Sequence, residues 1–553
     1  MTTLELRDGR FLLRAAHPIL AKRIPGATWN KGERAWAFPV RPETYDRIRQ
    51  VFQGVRIAPN AAEAVREIQR RESIVAHLKA KGWENAEPLE PMPIQSKPFR
   101  HQILAYNVGL ILPAVALLME QGCGKTLTAI AIAGRRFLRG EVKRCLVVAP
   151  ASVVPVWPKE FERHAAFPHD VRALEGPVIK RKKMLTTWKP DSFTLQVAVT
   201  NYEATWRMTK ELAAWRPDLI ICDESQRIKT PGAKQSKALH ALGQRAQYRM
   251  ILTGTPVTNN PTDFFSQYKF LDPSIFGNNF YAFRNRYCVM GGYQNYEIVD
   301  YKNLEELVDK AHRIAVRVTK KEALDLPPMV DQTLYCELEP EARRVYKEMV
   351  AESIAELEEG TVTAANVLTR LLRLSQITGG FTRIDEDEDA PPVEVSKAKL
   401  ILLTETLEDL LAAGKKVVVF ARFIPEIRAI EAILERKGIG YVTITGQTKD
   451  RGEVVRRFQE HEDVRVFVGQ IQTVREGLTL TAADTAIFYS LDFSYANYEQ
   501  AKARIHRIGQ RNTCTYIHLV ARKTVDERII KALEEKRNIA DLVVDRWREM
   551  LIG

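Results

Sequence analysis

The chain has 553 residues, 82 Lys and Arg against 69 Asp and Glu, a net charge of +13 and 45% hydrophobic residues. That length and apolar content suit several domains with packed cores, and the basic balance fits a polyanionic partner or simply a basic, soluble surface. Six scattered cysteines without a CxxC pair argue against a zinc site, and no apolar run reaches the roughly 18 residues needed to span a bilayer. No secretory signal is recognisable, so a reducing compartment is expected: cytoplasmic, or nuclear if the source has a nucleus.

Residues 1–72 read as a small α+β module. LELRDGRFLL and RAWAFPV alternate like strands, and PETYDRIRQVF has the period of an amphipathic helix. Arg14, Lys22, Arg23, Lys31 and Arg34, near Trp29 and Trp36, could follow a nucleic-acid backbone and stack on bases; a charged face over a tryptophan-anchored core explains them equally well. Residues 73–95 are expected to hold the end of a helix that begins at Ala62. They continue as a proline-rich linker, because Pro88, Pro91 and Pro93 forbid regular structure there.

The stretch AVALLMEQGCGKTLTAIAIAGRR, 114–136, is an apolar strand, a tight glycine loop and a helix. Gly122, Gly124, Lys125 and Thr126 have the layout of a phosphate cradle: backbone N–H groups face the anion, Lys125 reaches the outer phosphates and Thr126 holds magnesium. Upstream, Gln102 carries the paired donor and acceptor that an adenine edge requires. CLVVAP, LQVAVTNY, DLIICDES and RMILTGTP are near-continuous apolar runs separated by helical segments, which describes a parallel sheet covered on both faces over residues 96–272. Polar residues gather at the strand ends, where such sheets bind ligands. There Asp223 suits magnesium and Glu224 suits a base that orients the attacking water, while Thr253 and Thr255 could sense a γ-phosphate.

Residues 273–395 are expected to be helical insertions and an interlobe linker, with a turn at Gly291 and Gly292, a long charged helix from Pro340 to Glu358 and an acidic tract at 385–389. From 396 to 553 a second strand-helix series repeats the rhythm without a phosphate loop. Between its last two strands lies QAKARIHRIGQ, and a helix there would project Arg504 and Arg507 from one face, able to reach a γ-phosphate.

In order along the chain, HQ, MEQGCGKT, APASVVPVW, TNYE, DESQRIK, LTGTPVTN, VVVFARF, GLTLTAAD and QAKARIHRIGQ resemble the motifs of Swi/Snf-type superfamily 2 helicase-like ATPases, over roughly residues 97–530. The resemblance implies an α/β fold of two tandem RecA-like lobes, ATP and Mg2+ as cofactors, and ATP-driven tracking along double-stranded or branched DNA without sequence preference. The N-terminal module and Gly477 to Thr479 are most similar to the annealing-helicase subgroup with its HARP-like domain.

Carried over residue by residue, the resemblance gives Lys125, Asp223, Glu224, Gln500, Arg504 and Arg507 catalytic roles. Gln102, Gly122, Cys123, Gly124, Lys125 and Thr126 bind the nucleotide, with Thr126 and Asp223 on the metal. Ser152, Thr200, Asn201, Arg422, Gln447, Gln472, Thr473 and Arg475 touch DNA. Met119 and Gln226 depart from residues common in the family. Two alternatives stand beside this reading, a DEAD-type RNA helicase and a DNA-binding scaffold with an inactive ATP site. TGT at 253–255 and Gln510 disfavour the first, and the intact Lys125, Asp223, Glu224 and Arg507 disfavour the second. A nucleosome remodeller would need a histone-reading segment that the sequence does not offer.

Overall fold

The computed structural model describes residues 2–292, 297–358, 364–382, 392–474 and 478–540. The chain divides into two units, Met1–Val257 with Pro261–Thr319, and Thr258–Asn260 with Lys320–Asp541.

The first unit opens with β1 (Thr3–Arg7), β2 (Arg10–Arg14), α1 (Pro18–Lys22), β3 (Thr28–Asn30), β4 (Ala35–Phe38), α2 (Pro42–Val51) and β5 (Arg56–Ile57). The strands form one sheet in the order β3-β4-β2-β1-β5. Asp8 and Gly9 both take positive φ in the two-residue turn between β1 and β2, the geometry that matches the twist of an antiparallel pair. Alternation along these strands sends Leu4, Phe11, Leu13, Trp36 and Phe38 into one core with Ile48 and Phe52. The expected α+β module is therefore present.

Helix α3 (Pro59–Ala80) starts three residues earlier than expected, because Pro59 in the first turn has the right φ and no N–H to satisfy. It helps to fasten the module to the rest of the unit. The Arg41 guanidinium, about 10% exposed, bonds Asp272 and Ser274 and reaches Glu72 at 3.3 Å. Lys79 Nζ donates to the carbonyls of His312 at 2.6 Å and Arg313 at 3.3 Å, closing the end of the helix Leu304–Arg313.

The proline-rich segment is irregular, as its composition requires, but it is a strap and not a free linker. Leu89 N donates to Asn107 Oδ1 at 2.9 Å, Asn107 Nδ2 to Glu87 O at 2.8 Å, and Gln95 N to the His164 carbonyl at 2.8 Å. Prolines lack N–H groups but keep their carbonyls, and Pro91 O accepts from Tyr106 and Arg135.

Beyond the strap come α4 (Arg100–Ile111), β6 (Ala114–Met119), α5 (Lys125–Leu138), β7 (Arg144–Ala149), α6 (Val156–His164), β8 (His169–Ala173), β9 (Leu195–Asn201), β10 (Leu219–Asp223) and β11 (Tyr248–Leu252). A hairpin follows, β12 (Cys288–Gly291) with β13 (Glu297–Tyr301), then β14 (Ala315–Val318). The main sheet has the order β14-β6-β11-β10-β7-β9-β8, and all of its pairs are parallel. β11 lies between β6 and β10, so three strand ends carry the glycine loop, Thr253 and the Asp223–Glu224 pair side by side.

The second unit is built on β15 (Met329–Cys336), a short pair β16 (Phe381–Thr382) and β17 (Val393–Glu394), then β18 (Val417–Ala421), β19 (Tyr441–Ile444), β20 (Val466–Gln470), β21 (Thr485–Phe488) and β22 (Cys514–Ala521). Its parallel sheet runs β15-β22-β21-β18-β20-β19. The two parallel sheets are the two RecA-like folds expected. The region 273–395 differs from a purely helical insertion: β14 completes the first sheet and β15 the second. Their sequences hid them: β14 is an edge strand of only four residues, largely buried but interrupted by Arg317, and β15 is an edge strand with a polar, mostly exposed first half. The expected helix Pro340–Glu358 is present, whereas the acidic tract 385–389 lies outside the described residues.

Candidate nucleotide and nucleic-acid sites

Apolar β6 delivers the chain to a loop in which Gly122 and Gly124 adopt φ of 91° and 80°, a region that side chains rarely enter. Gly124 is the residue before the first turn of α5, so unbonded N–H groups of that turn face the loop. A Cβ on Gly124 would fall 1.9 Å from Gln102 Nε2, so the glycine is required twice. Lys125 is 9% exposed, and its ammonium donates to Met119 O at 2.9 Å and Glu120 O at 3.4 Å. Thr126 sits half-buried in the same first turn.

Cys123 is fully buried, and its carbonyl accepts from Gln102 Nε2 at 3.2 Å and from His101 Nε2 at 2.9 Å. Burial lowers the pKa of the His101 imidazole and favours its neutral form. Gln102 Oε1 accepts from Phe99 N at 2.9 Å, an N-terminal cap on α4. The glutamine expected to read adenine thus already holds the loop, with one N–H and one lone pair of its carboxamide left over.

Asp223 ends β10 with 7% exposure. Its Oδ2 accepts from Trp157 Nε1 at 3.1 Å, and its backbone carbonyl accepts from Tyr202 OH at 2.7 Å. Burial, reinforced by neighbouring Glu224 and opposed by Lys125, pushes the Asp223 carboxyl up to about 7. A buried carboxylate oxygen short of positive charge fits a hard divalent cation, and the Thr126 hydroxyl is an oxygen donor of the kind magnesium accepts.

Glu224 is forced to a left-handed φ of 52° although it is not glycine, a conformation that persists where surrounding structure imposes it. Gln226 explains what is imposed. Its Nε2 donates to Glu224 Oε2 at 2.8 Å, and its Oε1 accepts from the Thr253 hydroxyl at 2.8 Å. Thr253 Oγ1 in turn accepts from Thr255 N at 3.0 Å. Trp157, Tyr202 and Gln226 were quoted within motifs, but no periodicity or spacing assigns them these contacts.

In the second unit the helix expected through QAKARIHRIGQ stops at Lys502, and turns follow. Arg504 and Arg507 nevertheless converge: Nη1 of each donates to the Leu478 carbonyl, at 3.1 and 3.2 Å. Gln500 and Arg504 are about 4% and 5% exposed. Gln510 builds the turn from behind, giving Nε2 to the carbonyls of Thr481, Ala483 and Ile505 and accepting from Arg511 N and Asn512 N on Oε1. It organises backbone, which no arginine could do with an acceptor.

The residues expected on DNA divide. Ser152 is exposed after β7, and Asn201, at the end of β9, is tied to Arg181 and Glu203. Thr200 is a correction. β9 is an inner strand buried on both faces as far as Thr200, so this residue is fully buried, and its hydroxyl has no hydrogen-bond partner. Gln447 and Gln472 are exposed and Thr473 half-buried, while Arg475 and Gly477 lie outside the described residues. Arg422, 4.9 Å over the Phe423 ring, lines a cavity of about 300 Å³ with Gln470 and Glu426. Gln470, assigned no role from sequence, joins these pieces by donating to Arg422 O at 3.3 Å and accepting from Gly446 N at 3.3 Å. All six cysteines are free, and among the described residues no cluster suits a zinc ion and no helix is long and apolar enough to cross a membrane.

Comparison with known proteins adds to this geometry. Chromodomain-helicase-DNA-binding protein 1-like of Danio rerio is 28% identical over 452 residues, covering 78% of this chain and 42% of the relative. DNA repair and recombination protein RAD54-like of Drosophila persimilis is 26% identical over 471 residues, covering 77% and 60%. The chain thus spans about half the length of these relatives. A solved Sulfolobus solfataricus SWI2/SNF2 ATPase core in complex with dsDNA is similar at 26% identity and a TM-score of 0.40, covering 84% of this chain and 97% of that one. Residues 107–379 match the SNF2-related domain, and residues 399–509 match the helicase conserved C-terminal domain. The chain therefore carries an SNF2-related domain followed by a helicase conserved C-terminal domain.

Proposed function

We propose that the protein is a DNA-dependent ATPase that turns ATP hydrolysis into movement along double-stranded DNA. The observation that carries this reading is the row of three neighbouring strand ends bearing the phosphate loop, Thr253 and Asp223–Glu224, with Gln226 linking the last two. Lys125 exchanges the carbonyls of Met119 and Glu120 for the β- and γ-phosphates, and N–H groups from Gly122 to Thr126 take the remaining oxygens. Thr126 and Asp223 would hold a magnesium ion, which would supply positive charge to the phosphate oxygens. Glu224 orients water and accepts its proton. Gln102 keeps the loop in place and turns its remaining N–H and lone pair to adenine. Gln500, Arg504 and Arg507 act on the charge that develops at the γ-phosphate.

DNA is read through its backbone by Ser152, Asn201, Arg422, Gln447, Gln472, Thr473 and Arg475, so binding is independent of sequence and weakens steeply with salt. Within this reading residues 1–72 act as a HARP-like module for branched DNA and annealing. Trp29, 50% exposed at the sheet edge beside Trp36, and exposed Lys22, Arg23, Lys31 and Arg34 support it, whereas Arg14 is occupied by Glu5 and Glu33. The expected workplace is the cytoplasm, or the nucleus of a eukaryotic source. ATP hydrolysis measured with duplex DNA, single strands and RNA, beside triplex displacement, tests the proposal. Duplex stimulation with displacement is expected; preference for RNA, or no hydrolysis with any polynucleotide, overturns it.

A further inference from the structure

Arg317 lies on β14, paired in register with Leu118 of β6, and its side chain is 6% exposed. Its Nη1 donates to Leu118 O at 3.1 Å and Gly254 O at 3.3 Å, and its Nη2 meets Glu120 Oε1 at 3.2 Å. One guanidinium therefore touches the entrance of the phosphate loop and the turn that carries Thr253 and Thr255. The same two segments press together without it: a Cβ on Gly254 would stand 3.3 Å from Met119 O, Glu120 Cα and Gln121 N.

Glu120 is where these contacts meet. Its carboxylate is on Arg317, its N–H donates to Val318 O at 2.9 Å, and its carbonyl accepts from Lys125 Nζ at 3.4 Å and Cys123 N at 3.2 Å. When Lys125 leaves for a phosphate, the Glu120 carbonyl loses that partner and of these two keeps only its bond from Cys123 N, so the bonding of the loop entrance changes at Glu120. A planar, five-donor cation can register that change on three oxygens at once, whereas a lysine ammonium would keep the charge and only part of those contacts. β14 then passes directly through Thr319 to Lys320, where the second unit begins.

We propose that Arg317 is a positioning residue that couples nucleotide occupancy of the phosphate loop to the Thr253–Thr255 turn and to the chain leaving the first unit. The inference rests on the proposed ATPase activity and adds a residue that no motif marked. It acts through Glu120 and Gly254, not on the substrate, so its signature is a fall in turnover without a matching fall in nucleotide affinity.

The test is steady-state ATP hydrolysis with saturating duplex DNA for the full chain, Arg317→Ala, Arg317→Lys, Glu120→Gln and the Arg317→Ala/Glu120→Gln pair. Expected are a kcat at least tenfold lower in Arg317→Ala with KM changed less than threefold, and partial rescue of kcat by Arg317→Lys. The double variant should be no worse than the poorer single one, since both remove the same contact. Glu120, about one-third exposed, gives a variant that reports on the contact if Arg317→Ala fails to fold. Arg317→Ala within twofold of the parent, kcat and affinity falling in step, no rescue by lysine, or multiplicative effects in the double variant would each overturn the inference. A parent inert toward ATP with every polynucleotide would instead remove the activity on which the inference rests.

Discussion

Thr253 donates its hydroxyl to Gln226 at 2.8 Å, and Gln226 passes its own N–H to Glu224 at the same distance. The proposed base is thereby held by the turn of the neighbouring strand. Replacement of Gln226 by Ala leaves Glu224 in its strained backbone conformation without that tether and should lower kcat about tenfold, or ~1.4 kcal/mol of barrier. Gln226→His offers one ring N–H and one ring acceptor, and should stay within about threefold. Steady-state ATPase assays on the two variants check the order.

Gly124 carries two constraints at once, its left-handed φ and the carboxamide of Gln102 packed against it. Gly124→Ala is expected to weaken nucleotide binding by at least about tenfold, because the methyl group must displace Gln102 and with it the cap on α4. Gln102→Ala in the same background relieves the collision but leaves the backbone strain and removes the adenine contact proposed for Gln102, so binding should stay weaker than in Gln102→Ala alone. Equilibrium titration with a fluorescent ATP analogue separates the two contributions.

Glu426 is 1% exposed, and burial pushes its carboxyl up to about 7. Oε2 accepts from Arg422 N, Phe423 N and Ser490, whereas Oε1 has no hydrogen-bond partner. A carboxyl with a higher pKa in the folded state binds more protons there than in the unfolded chain, so its contribution favours folding at low pH. That advantage is lost as pH rises from the ordinary carboxylate range through about 7. Glu426→Gln should match the parent near the top of that window less closely than at its foot, gaining ~2 kcal/mol in relative stability as pH rises. Melting curves of parent and variant at several pH values give the comparison.

The N-terminal module hangs on Arg41, whose guanidinium faces Asp272, Glu72 and Ser274. Arg41→Ala strands a partly buried carboxylate and should cost ~2 kcal/mol of docking, seen as faster proteolysis within residues 58–86. Deletion of residues 1–90 would be a poor test of the module's role, since it also cuts the strap that Asn107 and Tyr106 hold down. Deleting residues 1–57 keeps the strap; loss of strand annealing with retained triplex displacement would then assign the module to substrate choice.

Much of this was legible from residues. Continuous apolar runs marked buried parallel strands such as β6, β7 and β10, and the glycine loop and the Asp223–Glu224 pair stood at the strand ends where ligands bind. β14 and β15 escaped because edge strands need no unbroken apolar run. The helix expected at Arg504 and Arg507 failed because Gln510 rewards turns with backbone hydrogen bonds that no helical period reveals. Thr200 differs because the sheet covers both faces of β9 up to that residue, and sequence does not mark where along a strand the cover ends. Trp157, Gln470 and Arg317 find their partners only through sheet order, which brings together residues far apart in the chain.

The clasp between Arg41 and Asp272 joins residues 231 positions apart, and that between Lys79 and His312 spans 233. A ribosome adding roughly 5–20 residues per second needs about 10–50 s to travel that far. For all that time the nascent module has its core but lacks its dock, with Arg41 and Lys79 still bathed in water. Translation speed across the intervening codons, or a chaperone that shields the waiting surface, therefore bears on the yield of correctly assembled protein.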